Sequence, residues 1–216
     1  MIELVVLALV AAVSLALGLW IASAFVRATA LPARAPKRVL ALSAPSKRRV
    51  AFLGASLTHG KVSADWVSLV GQALDVDVVN AGVNGDLAWS ARLRLEDVLA
   101  TKPNDLVVLV GSNDVMAGLD AVRERRYMTS KNLPQRPTLA WYRDNLIAIG
   151  ERAKSASVSV LFASLPPLGE DLDSDVNKRV QSANEIIALV AQETGARFVD
   201  VYAPLAEALR AAGAKR

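Results

Sequence analysis

The sequence predicts an α/β domain in which helices cover a central, mostly parallel five-stranded sheet, a three-layer α/β/α arrangement. Two observations predict it. Short, almost wholly apolar runs alternate with stretches of helical spacing, the pattern of a parallel sheet buried on both faces. Three of those runs also end in polar turns that contain glycine, and ligands in such sheets bind outside the carboxyl ends of the strands.

Taken in order, Val50 to Leu53 is the first apolar run and ends at Gly54, and an amphipathic stretch follows from Ala64 to Leu74. Val76 to Val79 is the second, closed by Asn80-Ala81-Gly82, and Leu87 to Ala100 has helical spacing through Leu87, Ala91, Leu95, Val98 and Leu99. Asp105 to Gly111 is the third run. Leu139 to Ala153 reads as a helix, Val158 to Phe162 as the fourth strand before Pro166-Pro167, and Val176 to Glu193 as a long helix. Arg197 to Val201 is the fifth run and Leu205 to Ala212 the final helix.

The first 26 residues are of another kind. From Leu4 to Val26 the chain runs 23 residues without a charge, and about 20 such residues in a helix cross a hydrocarbon core. A single-pass anchor is the leading expectation. A cleaved secretory signal, cut after Ala22-Ser23-Ala24 or Ala28-Thr29-Ala30, is the alternative and would make the domain secreted or periplasmic, and a buried core helix is the third reading. Against the signal stand the length of the apolar stretch and Glu3 in place of a basic n-region.

Residues 27–48 are expected to form a basic linker punctuated by Pro32, Pro36 and Pro45, which leaves 49–216 as the domain. The chain carries 25 basic and 21 acidic residues. Beyond residue 49 the balance is 18 against 20, so the positive charge is juxtamembrane and suits anionic headgroups rather than nucleic acid. The positive-inside rule places such a block in the cytoplasm. No Cys and a single His exclude thiolate chemistry and His-rich metal sites.

Chemistry is therefore sought at the strand ends. Gly54 to Gly60-Lys61 is not a P-loop, because five residues rather than four separate the glycines and Val62 follows the Lys. Nor is it the G-x-S-x-G nucleophile elbow, since Thr58 takes the place of the second Gly. What it offers is Ser56 at a strand-to-helix turn, with its own NH at a helix N-terminus facing developing negative charge. Gly85 supplies a second backbone NH and the Asn113 side-chain amide a third donor, together an oxyanion hole.

These three turns, Gly54-Ala55-Ser56-Leu57-Thr58, Asn80-Ala81-Gly82-Val83-Asn84-Gly85 and Gly111-Ser112-Asn113-Asp114, resemble the blocks of the SGNH (GDSL-type) hydrolases in order and spacing, over roughly residues 49 to 205. The resemblance implies a flavodoxin-like fold and an esterase, lipase or acylhydrolase activity on small-molecule or glycan-linked esters, with no cofactor and no metal. It makes Ser56 the nucleophile, with Ser56, Gly85 and Asn113 as oxyanion donors and Gly54, Asn80, Gly82, Gly111 and Asp114 in support. Two positions depart from the pattern. Ala55 stands where the family has Asp, and no His follows His59, although the family's base belongs to a late Asp-x-x-His block; the chain is expected to stop before that block, after Asp200-Val201. His59, three residues after Ser56, is the minor candidate for the base, its other reading being an exposed loop His.

Three further features have structural readings. The charged stretch 120–137 is expected as a solvated surface loop, with a lid or substrate loop as the alternative. The acidic group Glu170, Asp171, Asp173 and Asp175 fails the EF-hand pattern at Val176 and Ser182 and reads as a helix N-terminus. Trp66, Trp89 and Trp141 read as core or groove wall. Two rivals to a membrane-tethered esterase remain: an inactive member of the fold that binds acylated or glycan ligands, and a nucleotide-binding regulator with the same topology.

Overall fold

A computed structural model describes residues 14–23, 26, 30–40, 47–61 and 63–213. The chain divides into a unit ending at Leu31 and a second unit from Pro32 onward. In the first, residues 14–23 are helical and exposed throughout. The rest of the expected apolar span lies outside the described residues, and among those described no helix is long and apolar enough to cross a membrane.

The second unit is built on five parallel strands in the order β2-β1-β3-β4-β5: β1 Arg49–Gly54, β2 Asp77–Gly82, β3 Asp105–Leu109, β4 Ser159–Ala163 and β5 Arg197–Val199. Side chains alternate across β1 as the period of two requires. Ala51 and Leu53 join the larger core with Val79, Leu106, Val108 and Phe162, covered by α4 (Ala88–Leu93), α8 (Leu139–Ser155) and α9 (Asp175–Thr194) through Ala91, Leu146, Ile149, Val180 and Ile187. Phe52 points the other way, into a smaller core with Val78 and with Val67 of α3 (Trp66–Ala73). There the Trp66 ring meets Phe52 edge-on at 5.3 Å.

Register positions the site. Gly54 pairs with Gly82 on one side and Leu109 on the other, so three strands end level and the turns that leave them start from one edge.

Three elements differ from the sequence expectation. The stretch expected as a tether contributes Pro32–Leu40 to this unit: Ala35 and Val39 are buried, the Arg34 carbonyl accepts from the Asn80 NH at 2.9 Å, and the Arg34 Nε donates to the Val78 carbonyl at 3.0 Å. With helix α1 (Pro36–Leu40) this segment occupies the outer edge of β2, where an open strand would otherwise present unpaired amides. The helical stretch 87–100 is interrupted at Arg94, whose backbone (φ −106°, ψ 11°) leaves the helical range between α4 and α5 (Leu95–Leu99). Residues expected as a charged loop form α7 (Ala121–Ser130), started by Asp120, whose carboxylate accepts from the Val122 and Arg123 NH groups.

Candidate active site

Ser56 opens α2 (Ser56–His59) directly behind β1. Two glycines allow this short helix to lie on the strand ends. A Cβ at Gly54 would stand 2.0 Å from Thr58 Oγ1 and 2.5 Å from the Leu109 carbonyl, and one at Gly82 would stand 2.1 Å from the His59 nitrogen. Asn80 shapes the second turn by accepting the Gly82 NH at 3.0 Å. The turn is then tied to the first, because the Val83 NH donates to the Gly54 carbonyl at 3.1 Å. Gly85 sits at φ +76°, a conformation that side chains with a Cβ rarely adopt.

Asn113 belongs to α6 (Ser112–Ala117), entered through Gly111, which lies against the Tyr142 ring. Its Nδ2 donates to the Asp86 carbonyl at 2.9 Å, next to Gly85. Its Oδ1 accepts from the Tyr127 hydroxyl of α7 at 2.8 Å. An amide nitrogen carries two hydrogens, so one holds the turn and the other is available to a ligand. Asp114 is fully buried and its carboxylate accepts from the Ala88 NH at 3.1 Å, joining the third turn to the start of α4. Burial pushes the Asp114 carboxyl up to about 7, opposed by the Ala88 NH and reinforced by the charge of Asp86.

Asp86 is buried too, and burial raises its carboxyl while Arg94 and then Lys131 counter the shift. The Arg94 guanidinium binds Asp86 at 2.7 Å, the Ala81 carbonyl at 2.6 Å and the Gly54 carbonyl at 2.9 Å. One side chain thus fastens the ends of β1 and β2 to the turn that carries Gly85. Lys131 donates to the Asn84 carbonyl at 3.1 Å from the far side of that turn.

The candidate residues divide accordingly. Asn113 and Asp114 are tied by hydrogen bonds to Asp86 and Ala88, residues that follow Gly85, and Ser56 starts two residues beyond the carbonyl that receives both Val83 and Arg94. His59 closes α2 and is buried at 7% exposure rather than standing on an open loop. Its backbone NH donates to the Ala55 carbonyl at 2.9 Å. Asp200 follows the carboxyl end of β5, where its carboxylate accepts from Ser164 Oγ and from the NH groups of Tyr202 and Ala203 at the start of α10 (Tyr202–Ala211).

Sequence reasoning missed Tyr127, Asp86 and Arg94, and reached Lys131 only as part of the charged stretch 120–137, with a lid or substrate loop as its alternative. The one local signal was Asp120 as a helix N-cap ahead of Ala121, which would have placed Tyr127 and Lys131 four residues apart near one helix end. Of the acidic group near β4, Asp175 lies in the first turn of α9, which Ser174 caps. Trp66 donates to the Leu57 carbonyl at 2.8 Å, and Trp89 packs on Trp141 with ring centres 6.0 Å apart. Among the described residues no group of three His, Cys, Asp or Glu side chains is placed to hold a metal ion.

A level edge of parallel strands carrying a serine at a helix start and an anchored amide beside a glycine turn defines an SGNH-type α/β/α hydrolase. The model of the GDSL-like lipase/acylhydrolase family matches residues 52–214, and the chain belongs to that family of serine ester hydrolases. A search of curated protein sequences finds no match. Solved structures with the same fold include an acetylxylan esterase from Geobacillus stearothermophilus, 21% identical over 78% of this chain and 83% of that one, with TM-score 0.62. A GDSL-like lipase from Bacteroides thetaiotaomicron is 23% identical over 78% and 76%, with TM-score 0.60. The acetyl xylan esterase AlAXEase is 20% identical over 77% and 85%, with TM-score 0.63.

Proposed function

We propose that the chain hydrolyses small-molecule or glycan-linked esters through an acyl-enzyme on Ser56. In this reading Ser56 Oγ attacks the ester carbonyl carbon and gives up its proton, and the carbonyl oxygen becomes an oxyanion. The NH groups of Ser56 and Gly85 and the free hydrogen of the Asn113 amide receive that charge. Collapse of the adduct expels the alcohol with a proton, and water then attacks the acyl-serine to release the acid. The observation that carries the proposal is the Asn113 amide, fixed between the Asp86 carbonyl and the Tyr127 hydroxyl with one donor to spare. Fixed donors of this kind contribute about 10²–10³ in kcat. Acetyl groups on sugars are the first esters to try, since two of the similar folds are acetylxylan esterases.

The base is the open position in this scheme. The 216 residues contain one imidazole, that of His59, and a serine hydrolase stripped of one triad member keeps about 10³ to 10⁴ over water. That observation favours a second reading, a member of the fold that binds acylated or glycan ligands without turnover. One experiment separates the two: p-nitrophenyl acetate hydrolysis and fluorophosphonate labelling of the chain, of Ser56→Ala and of His59→Gln. Labelling and hydrolysis that vanish in Ser56→Ala support the esterase, and equal hydrolysis in the chain and Ser56→Ala excludes it. Loss in His59→Gln as well would identify that imidazole as the base.

Tethering is part of the proposal, with residues 4–26 as a single-pass anchor and the basic residues after it against the headgroups. Extraction of cell membranes with alkaline carbonate tests it: an anchored chain stays in the pellet. Release into the supernatant with a new N-terminus near residue 25 or 31 would show a cleaved signal and a secreted or periplasmic domain instead.

A further inference from the structure

A cavity of about 290 Å³ opens beside the oxyanion turn, lined by Gly85, Met116, Arg123, Arg126, Tyr127 and Lys131. It touches Gly85 directly, and its Tyr127 wall is the residue that holds Asn113, so it adjoins two of the donors proposed for the oxyanion. Its charge is one-sided. Three cations line it and no carboxylate does. The nearby acids are already engaged: Asp120 pairs with Arg123, Glu124 with Arg136 at 2.9 Å, and Asp86 with Arg94 at 2.7 Å, with Lys131 further off at 3.9 Å. Arg126 has no ion-pair partner among the described residues. Helix α7 has no buried residue, and it meets the domain through the half-buried Tyr127 and Met128, packed near Leu87, Ala117 and Leu133. The cations it carries over the site are therefore not explained by core packing.

We infer that this cavity selects esters bearing an anionic group, a carboxylate or a comparable acid, within a few atoms of the scissile carbonyl, with Arg126, Arg123 and Lys131 as the specificity-determining residues. Guanidinium groups bind oxyanions through paired NH donors, and a cleft lined by one sign of charge concentrates the opposite ion. The inference rests on the ester-hydrolase reading and adds the class of substrate to it.

Two isosteric ester pairs test it with the full chain. The pair 4-acetoxybenzoate and methyl 4-acetoxybenzoate puts the charge on the alcohol side. The pair 4-nitrophenyl hydrogen adipate and 4-nitrophenyl methyl adipate puts it on the acyl side. The Ser56→Ala rate is subtracted throughout. The expected result is a kcat/KM roughly tenfold higher for the anionic member of one pair, lost at about 1 M salt, where the screening length falls to about 3 Å. Arg126→Gln should cut that preference about threefold, Arg126→Glu should abolish or invert it, and Arg126→Lys should restore part of it. Arg126 is exposed, so these variants keep the fold. Equal Ser56-dependent rates within both pairs, insensitive to salt and to Arg126, overturn this inference and leave the hydrolase standing. No Ser56-dependent turnover of any of the four esters overturns the hydrolase reading and this inference with it.

Discussion

The Tyr127 hydroxyl donates to Asn113 Oδ1 at 2.8 Å, joining the charged helix α7 to the side-chain amide of α6. The bond settles which end of the amide points where. With Oδ1 occupied by a donor and one Nδ2 hydrogen on the Asp86 carbonyl, the remaining hydrogen has a fixed direction, and fixed direction is what makes a donor catalytic.

Removing that hydroxyl should therefore act on kcat. Tyr127→Phe is expected to lower kcat on p-nitrophenyl acetate about fivefold with little change in KM, because one orienting hydrogen bond is worth about 1 kcal/mol. Asn113→Ala should cost about 10²–10³. In the double variant the Tyr127→Phe effect should disappear, since the amide it orients is gone. A Tyr127→Phe enzyme with unchanged kcat refutes the orienting role.

Asp114 gives a pH dependence whose sign follows from burial. Its carboxyl titrates near 7 in the folded chain against an ordinary value of 3.8, so between those values the folded state holds a proton that the unfolded state has lost. Stability from this group is full below the ordinary value and declines as pH rises toward and through about 7. Urea midpoints measured from pH 4 to 8 should fall across that window, and Asp114→Asn should flatten the slope. A slope unchanged by Asp114→Asn would assign the effect elsewhere, with Asp86, also raised by burial, as the next group to replace.

Arg94 should matter to stability more than any surface ion pair. Arg94→Met leaves Asp86 buried without its closest charge partner and frees the Gly54 and Ala81 carbonyls, a loss of about 3 kcal/mol or more by analogy with broken buried pairs. Replacing an exposed partner such as Arg152, which meets Glu96 at 2.7 Å on the surface, should cost less than about 1 kcal/mol. Denaturation curves of the two variants test the contrast.

Gly82 has no room for a methyl group. Gly82→Ala sets a Cβ against the backbone of His59 and must push α2 away from the strand ends, carrying Ser56 with it. Overpacking of this kind costs about 1–3 kcal/mol, and a displacement near 1 Å can cost about 10² in rate. Activity should fall further than the denaturation midpoint implies, and a Gly82→Ala variant with wild-type kcat/KM would contradict the close seating of α2.

The strands were legible because each is a local event: Val50 to Leu53 and Leu106 to Leu109 are apolar at every position, as a strand covered on both faces must be. The turns were legible because Gly54, Gly82, Gly85 and Gly111 stand where a backbone approaches closely or bends backward. Helix α7 was not, because its composition is that of a solvated loop and it is held by two half-buried side chains rather than by an apolar stripe. The docking of Pro32–Leu40 was not, because three prolines and a basic excess describe an extended tether equally well, and only the open edge of β2 decides the matter.

What the sequence determined by itself is the order of strands and helices and the set of residues offered at the strand ends, Ser56, Gly85 and Asn113 among them, since periodicity and turn chemistry act between near neighbours. Only the tertiary structure decided what surrounds them. Arg94 reaches a carbonyl 40 positions earlier, and Lys131 one 47 positions earlier. Such partners are chosen by how the layers stack, and buried carboxylates and carbonyls take whichever donors that stacking brings within reach.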